Sequence, residues 1–289
     1  MHYQGNIFRP PSEANSILLQ ITTGCSHNKC TFCGMYKDSR FSIKDDKTIM
    51  ADIDFAAIHC HRQERLFLCD GDALIIPQKR LVFILEQIQE KLPWITRIGT
   101  YANTKSIKMK SEAQLKELYD LGLTIAYMGL ESGDDVTLTN INKGADSQQM
   151  INMGKKIRAS GMKLSITVLL GVAGLERSHI HAKETGRVLS DIDPEFVGAL
   201  SLMLTPNTPL YHNAEQGTFV LPGAKQMLEE LYIMFSATEL SNGYFHANHA
   251  SNYLPIRAKL PKDKEATLAL IEKALAGEVN LKPEYMRGL

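Results

Sequence analysis

The sequence predicts an α/β fold: a partial (β/α)6 barrel of parallel strands followed by a C-terminal helical extension. Six short apolar segments recur between residues 17 and 203, and amphipathic helical patterns lie between them. Strands buried on both faces show such apolar runs without alternation, and repeated strand–helix units build parallel sheets. Polar residues also follow the strand ends, one set per strand, as at the active face of a TIM-type barrel.

The strands are expected at Ile17–Thr22, Arg65–Cys69, Arg97–Tyr101, Thr124–Leu130, Lys163–Leu170 and Phe196–Met203. The segments between them carry apolar residues at helical spacing. Leu115, Leu118 and Leu121, for example, line one face of a helix that Gly122 ends. No GxGxxG motif follows the first strand, which disfavours an open dinucleotide-binding sheet. The polar residues at the strand ends favour the barrel.

The strand–helix alternation stops after about residue 205. The stretch that follows is interrupted by Pro206, Pro209, Pro222 and Gly223. Two helical patterns then lie near Lys225–Leu240 and Lys262–Ala276, with a polar and aromatic stretch between them. We therefore expect a barrel core over residues 1–205 and a helical cover region over residues 206–289.

Charge and hydropathy limit the possible partners. Of the 289 residues, 32 are Lys or Arg and 32 are Asp or Glu, so the formal net charge is zero. A dedicated nucleic-acid binder would carry a basic excess. The longest nearly apolar run, Ile166–Leu175, is too short to span a bilayer, and no apolar signal-peptide core follows Met1. These features predict a cytoplasmic protein with no membrane partner and no nucleic-acid partner indicated by charge.

A cluster of cysteines is the most informative motif. Cys25, Cys30 and Cys33 follow the first strand in a C-x4-C-x2-C spacing. Cysteine thiolates hold iron–sulfur clusters in proteins. Three thiolates on one short loop can hold three irons of a [4Fe–4S] cluster, whose fourth iron then needs a ligand from elsewhere. A cluster with such an open iron can bind and reduce a small molecule, whereas one with four protein ligands mostly transfers electrons.

Two other kinds of site fit the same cysteines. An electron-transfer protein with a plant-type [2Fe–2S] cluster would use Cys60 or Cys69 as its fourth ligand. A zinc-stabilised binding module would use His27 or the His-Cys-His group at 59–61. Electron carriers of the first kind are small compared with this chain, and no second CxxC pair is present for a zinc module.

The cysteine motif and the segment Gly129–Gly133 resemble motifs of the radical S-adenosylmethionine (SAM) superfamily over roughly residues 15–205. The commonest cysteine spacing there is C-x3-C-x2-C, so the first gap here holds one more residue. Gly129–Gly133 reads Gly-Leu-Glu-Ser-Gly and is followed by Lys143-Gly144. This pattern is similar to the branch with elongator-like, methylthiotransferase-like and coproporphyrinogen dehydrogenase-like members.

The resemblance implies an enzyme and its cofactors. The three cysteines would hold a [4Fe–4S] cluster, and SAM would chelate its open iron. An external one-electron donor, such as flavodoxin or ferredoxin, would reduce the cluster. Reductive cleavage of SAM would then give a 5′-deoxyadenosyl radical that abstracts hydrogen from a substrate. The motifs do not specify that substrate.

The resemblance also implies cofactor-binding residues. Phe32 would lie near the adenine ring, and main-chain groups of the turn Asp70-Gly71-Asp72 after the second strand would accept hydrogen bonds from the SAM ammonium. The remaining contacts would come from Glu131, Ser132 and Gly171. Gly171 opens a glycine-containing loop after the fifth strand, where small residues permit a close approach to the backbone.

Further polar residues after strand ends are candidates for substrate binding. These candidates are Tyr101, Asn103, His246, His249 and Asn252. The last three lie in Phe245–Tyr253, which we expect to cover the barrel mouth and contact substrate. Cys69 would be a hydrogen donor to a substrate radical if it faces the barrel interior, and a core residue if it faces outward.

Overall fold

The computed structural model describes residues 1–288. Its strands are β1 (Ile17–Gln20), β2 (Thr22–Thr23), β3 (Ser42–Ile43), β4 (Arg65–Cys69), β5 (Arg97–Ala102), β6 (Leu123–Glu131), β7 (Lys163–Leu170), β8 (Phe196–Ser201), β9 (Tyr244–His246) and β10 (Arg257–Lys259). Its helices are α1 (Asp46–His59), α2 (Gln78–Lys91), α3 (Thr104–Lys108), α4 (Glu112–Asp120), α5 (Asp135–Asn140), α6 (Ser147–Ala159), α7 (Gly174–Ile192), α8 (Pro209–Glu215), α9 (Ala224–Ala237) and α10 (Lys264–Leu275).

The first of two compact units contains residues 1–28, 35–128 and 153–164. In it, β1, β4, β5 and the start of β6 pair in parallel in that order. Leu66 and Phe67 point to opposite faces of β4, and both are fully buried. Residues on both faces of this strand therefore lie in the core, which explains its uninterrupted apolar sequence.

The second unit contains residues 29–34, 129–152 and 165 onward. Here β7, β8 and β9 pair in parallel, and β10 runs antiparallel to β9. Phe245 of β9 is fully buried and meets Phe235 of α9 edge to face, with 5.0 Å between the ring centroids. Helix α9 therefore covers the face of the sheet on which Phe245 lies.

The predicted α/β class with a mostly parallel sheet is confirmed, and eight strands contribute to that sheet. The expected first strand is divided, because β1 ends at Gln20 and β2 pairs instead with β3. Within residues 206–288 the chain forms helices α8, α9 and α10, and also the short strands β9 and β10. Three-residue strands are too short to show a periodicity, so the sequence predicted only helices there. The boundary at residue 205 stays a prediction.

Among residues 1–288, none of the helices combines the length and the apolar character needed to cross a membrane.

Candidate functional site

The loop with Cys30 and Cys33 is held at both backbone groups of Thr31. The Thr31 N–H donates to the Ile141 carbonyl over 2.9 Å, and the Thr31 carbonyl accepts from the Leu210 N–H over 3.0 Å. Cys30 and Cys33 are both half-buried. Backbone bonds at the centre of the loop thus fix the path on which the two thiols lie.

Phe32 lies between these cysteines and is partly buried. Its ring packs against the apolar cluster of Leu138, Ile141 and Val172, together with Leu169. This packing anchors the cysteine loop. The predicted contact of Phe32 with an adenine ring stays a prediction.

Cys25 lies in the first unit and is also half-buried. The Gly71 N–H donates to the Gly24 carbonyl over 3.1 Å. A Cβ atom at position 71 would lie 3.0 Å from Cys25 Cβ and 3.0 Å from the Tyr36 ring. Only glycine allows the turn after β4 to come so close to Cys25.

The three thiols match the donor set of an iron–sulfur cluster. Within residues 1–288, no three His, Cys, Asp or Glu side chains converge so that they could hold one metal ion. In a [4Fe–4S] cluster each thiolate binds a different iron, so the thiols need not converge. Three half-buried cysteines on a loop of nine residues are the donor set that such a cluster takes.

The other two cysteines are poor candidates for a fourth ligand. Cys60 ends α1 and precedes β4, whereas Cys25 follows β1, which runs parallel to β4. A strand of five residues is about 16 Å long. Cys60 therefore lies near the amino ends of these parallel strands, and Cys25 near their carboxyl ends. Cys69 is fully buried, its Sγ donates weakly to the Phe67 carbonyl over 3.6 Å, and burial raises the pKa of its thiol.

Asp70 has its hydrogen bonds satisfied inside the first unit. Its carboxylate accepts from Gln20 Nε2 over 2.8 Å and from the Tyr36 hydroxyl over 3.3 Å, and its backbone N–H donates to Thr22 Oγ1. Burial raises the pKa of this carboxyl, although the hydrogen bonds from Gln20 and Tyr36 oppose that shift. The Asp70 side chain therefore holds the turn after β4 in place.

Asp72 differs from Asp70 because one of its oxygens is free. Its Oδ2 accepts from Ser26 Oγ and, over 2.8 Å, from Asn103 Nδ2. Its Oδ1 is buried and has no hydrogen-bond partner among the described residues. Burial raises the pKa of this carboxyl to about 6, against the effect of its hydrogen bonds. A buried acceptor without a donor is costly, which makes Oδ1 a candidate for binding a ligand.

The two substrate candidates of the first unit differ. Asn103 caps α3, because its Oδ1 accepts from the Ser106 N–H over 2.9 Å, and its Nδ2 donates to Asp72. Its amide is thus used within the protein. Tyr101 is half-buried, meets Phe67 edge to face at 5.0 Å, and has a pKa raised by burial. Its hydroxyl remains a candidate for substrate contact.

Glu131 forms an ion pair in the second unit. Its Oε1 lies 2.9 Å from Lys143 Nζ, and the two side chains are only 10% and 15% exposed. Burial lowers the pKa of Lys143, but the charges of Glu131, Cys30 and Cys33 raise it, and the net shift is upward. The ammonium therefore stays charged beside two of the cysteines.

The backbone around Glu131 is adapted to this ion pair. Glu131 itself has a φ of 65°, which is strained for a residue with a side chain. A Cβ atom at Gly129 would lie 2.1 Å from Glu131 Oε1 and 2.9 Å from Lys143 Nζ. The Gly-Leu-Glu motif thus needs its glycine, because the carboxylate folds back over that position.

Ser132 is fully buried and takes part in a polar network with helix α7. Its hydroxyl lies 2.7 Å from His181 Nδ1 and accepts from the Asp134 N–H over 3.0 Å. Since the hydroxyl already accepts from Asp134, its own proton is available to His181. Ser132 is therefore enclosed by the protein, and its predicted contact with the cofactor stays a prediction.

The network continues from His181 to helix α9. His181 Nε2 lies 3.2 Å from Glu230 Oε1, although off the line of its N–H bond, and both side chains are fully buried. Glu230 also accepts from Ser178 Oγ and, over 2.6 Å, from the Gly171 N–H. One buried carboxylate therefore links the loop after β7 to the motif after β6. We name Ser132, His181, Glu230 and Gly171 the buried network.

Two structural features require glycine at position 171. Its φ is +83°, and a Cβ atom would lie 2.7 Å from Met227 Cε. The sequence identified Gly171 and Ser132, but it did not identify His181 or Glu230. The sequence pattern does mark Glu230 as unusual, because this carboxylate lies among Met227, Leu231 and other apolar residues on the buried face of a helix.

Asp134 and Arg177 form a bidentate ion pair that the sequence did not predict. The distances are 2.9 Å from Nε and 2.8 Å from Nη2 of Arg177 to the two carboxylate oxygens. Asp134 also caps α5 by accepting from Thr137. Burial raises the pKa of Asp134, but the hydrogen bonds from Arg177 and Thr137 outweigh it and lower the pKa to about 2.

Within the segment Phe245–Tyr253, Asn252 lies beside the carboxyl-terminal half of β8, whereas His246 pairs with Gly198 nearer the start of that strand. Asn252 Nδ2 donates to the Ala199 carbonyl over 2.8 Å, and Asn252 Oδ1 accepts from Ser201 Oγ over 2.9 Å. Asn252 is buried, and both its amide oxygen and its amide nitrogen take part in these bonds. His249 is half-buried, its Nδ1 lies 2.9 Å from Ser251 Oγ, and burial lowers its pKa. Asn252 thus lies near the strand end where barrels bind their substrates, and the expected substrate contact of the segment stays a prediction.

Comparison with known proteins identifies the family. The model of the radical SAM superfamily matches residues 19–182, which is more than half of the chain. The chain belongs to the radical SAM superfamily. None of the curated proteins compared with this sequence matches it. Membership of this superfamily implies a [4Fe–4S] cluster and SAM as cofactors.

Solved structures show the same radical SAM fold. The methyltransferase TsrM from Kitasatospora setae, with cobalamin and a [4Fe–4S] cluster bound, has a TM-score of 0.58 and 17% identity over 72% of this chain and 41% of its own. Methylornithine synthase PylB has a TM-score of 0.54 and 16% identity over 78% of this chain and 63% of its own. Coproporphyrinogen III oxidase HemN from Escherichia coli has a TM-score of 0.54 and 14% identity over 75% of this chain and 50% of its own. The chain thus spans about 40% to 63% of the length of these proteins, and the likeness concerns the fold.

Proposed function

We propose that Cys25, Cys30 and Cys33 hold three irons of a [4Fe–4S] cluster and that SAM chelates the fourth. When bound, the cluster and SAM together supply reductive cleavage of a C–S bond, which gives methionine and a 5′-deoxyadenosyl radical for hydrogen abstraction from a substrate. The observation that carries this proposal is the set of three half-buried thiols on one loop, without a suitable fourth cysteine.

The chain's own residues prepare the cofactor site in this proposal. Asp72 Oδ1 would accept a hydrogen bond from the SAM ammonium, since it is a buried acceptor without a donor. Gly71 would keep the turn after β4 close to Cys25. Asp70 and Asn103 would position this turn through their own hydrogen bonds instead of touching the cofactor.

In the second unit, Glu131 would accept from the SAM ribose or amino group, and Lys143 would hold its carboxylate in position. Gly171 would let the adenosine approach the backbone, because glycine has no side chain of its own. Ser132 would act through the buried network and not by contact. Tyr101, His246 and His249 would face the substrate. Flavodoxin or ferredoxin would serve as electron donor, in the cytoplasm.

The experiment is anaerobic reconstitution followed by reduction with dithionite in the presence of SAM. We expect about four irons per chain and the formation of 5′-deoxyadenosine. Cys30→Ala should abolish both, and Cys60→Ala is the matched control that should retain both. A reconstituted protein that binds only zinc, or one that holds a two-iron cluster and leaves SAM intact, would refute the proposal.

A further inference from the structure

One face of the sheet in the second unit is left open by its helices. Along β9 and β10, Phe245 and Ala258 are buried on the side that faces α9. Because side chains alternate along a strand, Tyr244, His246 and Arg257 lie on the other side. There Tyr244 is 40% exposed and His246 is half-buried. A core face would be closed, so this face is accessible.

The strand register brings specific residues together on this face. Gly198 of β8 lies between Thr167 of β7 and His246 of β9, and His246 is directly paired with Arg257 of β10. A Cβ atom at Gly198 would meet no atom closer than 3.9 Å. The glycine therefore leaves a recess beside His246 that protein atoms do not fill.

Three aromatic rings follow one another beside this recess. Phe196 and Tyr244 are stacked, with 6.0 Å between centroids and 16° between planes. The rings of Tyr244 and His246 follow at 5.9 Å and 38°. Half-exposed rings in such a row offer a flat face on which a planar ligand can stack.

Two cations border the rings without a carboxylate partner. Arg257 Nε and Nη2 donate to the Asn248 side-chain oxygen, at 3.0 and 3.1 Å in the amide orientation that satisfies both groups. Lys259 Nζ lies 5.7 Å from the Tyr244 ring centroid, and Asp263 accepts only the Lys259 backbone N–H. As far as residues 1–288 are concerned, neither cation forms an ion pair. Asn248 thus holds the guanidinium in place and leaves its charge available for a ligand.

We propose that Phe196, Tyr244, His246, Arg257 and Lys259, the basic aromatic face, bind a substrate that joins a planar ring to an oxyanion. Charge complementarity selects a phosphate or a carboxylate, because Arg257 and Lys259 both lack an anion. The rings bind the planar part, and Gly198 provides the space for it. The inference rests on the proposed function, because it makes this face the substrate-binding part of the radical SAM enzyme.

The test is a ligand-observed NMR titration of the reconstituted protein with phenyl phosphate, which joins a ring to a dianion. Benzoate carries a carboxylate instead, phenol lacks the anion, and inorganic phosphate lacks the ring. We expect phenyl phosphate or benzoate to bind at least about tenfold more tightly than phenol and inorganic phosphate. The better of the two identifies the preferred oxyanion.

Variants locate the binding. Arg257→Gln and Lys259→Gln should each weaken binding of the better probe by about tenfold. Lys225→Gln, at an exposed lysine of α9, is the control and should change nothing. Gly198→Val should fold normally, as thermal unfolding would verify, because its Cβ has room, and it should abolish binding by filling the recess.

Several outcomes would overturn the inference: no binding of either anionic probe, equal binding of phenol, or unchanged binding in both charge variants. A folded Gly198→Val that binds like the unaltered protein would do the same. Formation of 5′-deoxyadenosine by the unaltered protein is measured separately. Its absence would overturn the proposed radical chemistry, while the basic aromatic face would still be judged by the probes.

Discussion

The carboxylate of Glu230 should be a large contributor to stability and to the shape of the cofactor site. It is fully buried and accepts from the Gly171 N–H and from Ser178 Oγ, with His181 in contact. Glu230→Ala leaves two buried donors unsatisfied, each of which costs about 1–3 kcal/mol. We therefore expect the free energy of unfolding to fall by about 3–5 kcal/mol. Glu230→Gln keeps one oxygen acceptor, so its free energy of unfolding should fall by about half as much.

Urea denaturation followed by circular dichroism measures this loss. Glu229→Ala, at the neighbouring half-exposed position of α9, is the control and should change stability by less than about 0.5 kcal/mol. A double-mutant cycle with His181→Ala should give a coupling energy of about 1–3 kcal/mol, since both residues belong to one network. If Glu230→Ala costs no more than Glu229→Ala, the buried network does not hold the two loops.

The same network gives a prediction about the cofactor. Glu230→Gln should remain folded but bind SAM about tenfold more weakly, because the loop at Gly171 and the motif at Ser132 lose their common anchor. Iron content should stay normal, since no cysteine takes part in the network. Calorimetric titration with SAM measures the affinity, and an unchanged affinity would show that the network serves stability alone.

Three further predictions concern charges near the site. Glu131→Ala should weaken SAM binding by about 1–3 kcal/mol with the cluster retained, and Gly129→Ala should weaken it too, because its Cβ would displace the Glu131 carboxylate; unchanged calorimetric affinities would contradict this. Lys143→Gln should lower the reduction potential of the cluster, measured by redox titration, because a cation beside two thiolates is lost. Asp134→Asn keeps the helix cap but loses the charge. Arg177 lowers the pKa of Asp134 in the folded protein to about 2, below the unfolded value of about 4. The wild-type protein should therefore be more stable than the variant at neutral pH, and this difference in unfolding free energy should vanish as the pH falls from about 4 to about 2.

Much of the fold could be predicted because its strands are buried on both faces. Leu66, Phe67 and Leu68 are each fully buried, and such runs stand out in a sequence. Gly122 ends a helix with a φ of +91°, as its position after Leu121 indicated. Strands β9 and β10 could not be predicted, because three residues carry no periodicity and their place depends on pairing with β8.

The site was predictable where chemistry fixes the residue type. The cysteines and the Gly-Leu-Glu-Ser-Gly motif are local in sequence, so their spacing was visible. The buried network was not, because His181 and Glu230 are about 50 and 100 residues from Ser132 and meet it only after folding. A sequence also does not reveal that the amides of Asn103 and Asn252 bond within the protein, and their expected contact with substrate stays a prediction.

The central claim is that three cysteines hold a cluster with an iron open to SAM. The most direct measurement is the electron paramagnetic resonance spectrum of the dithionite-reduced protein with and without SAM, for the unaltered chain and for Cys60→Ala and Cys69→Ala. All three proteins should give a [4Fe–4S] signal that SAM changes. A signal that SAM leaves unchanged, or a cluster lost in Cys60→Ala or Cys69→Ala, would contradict the account.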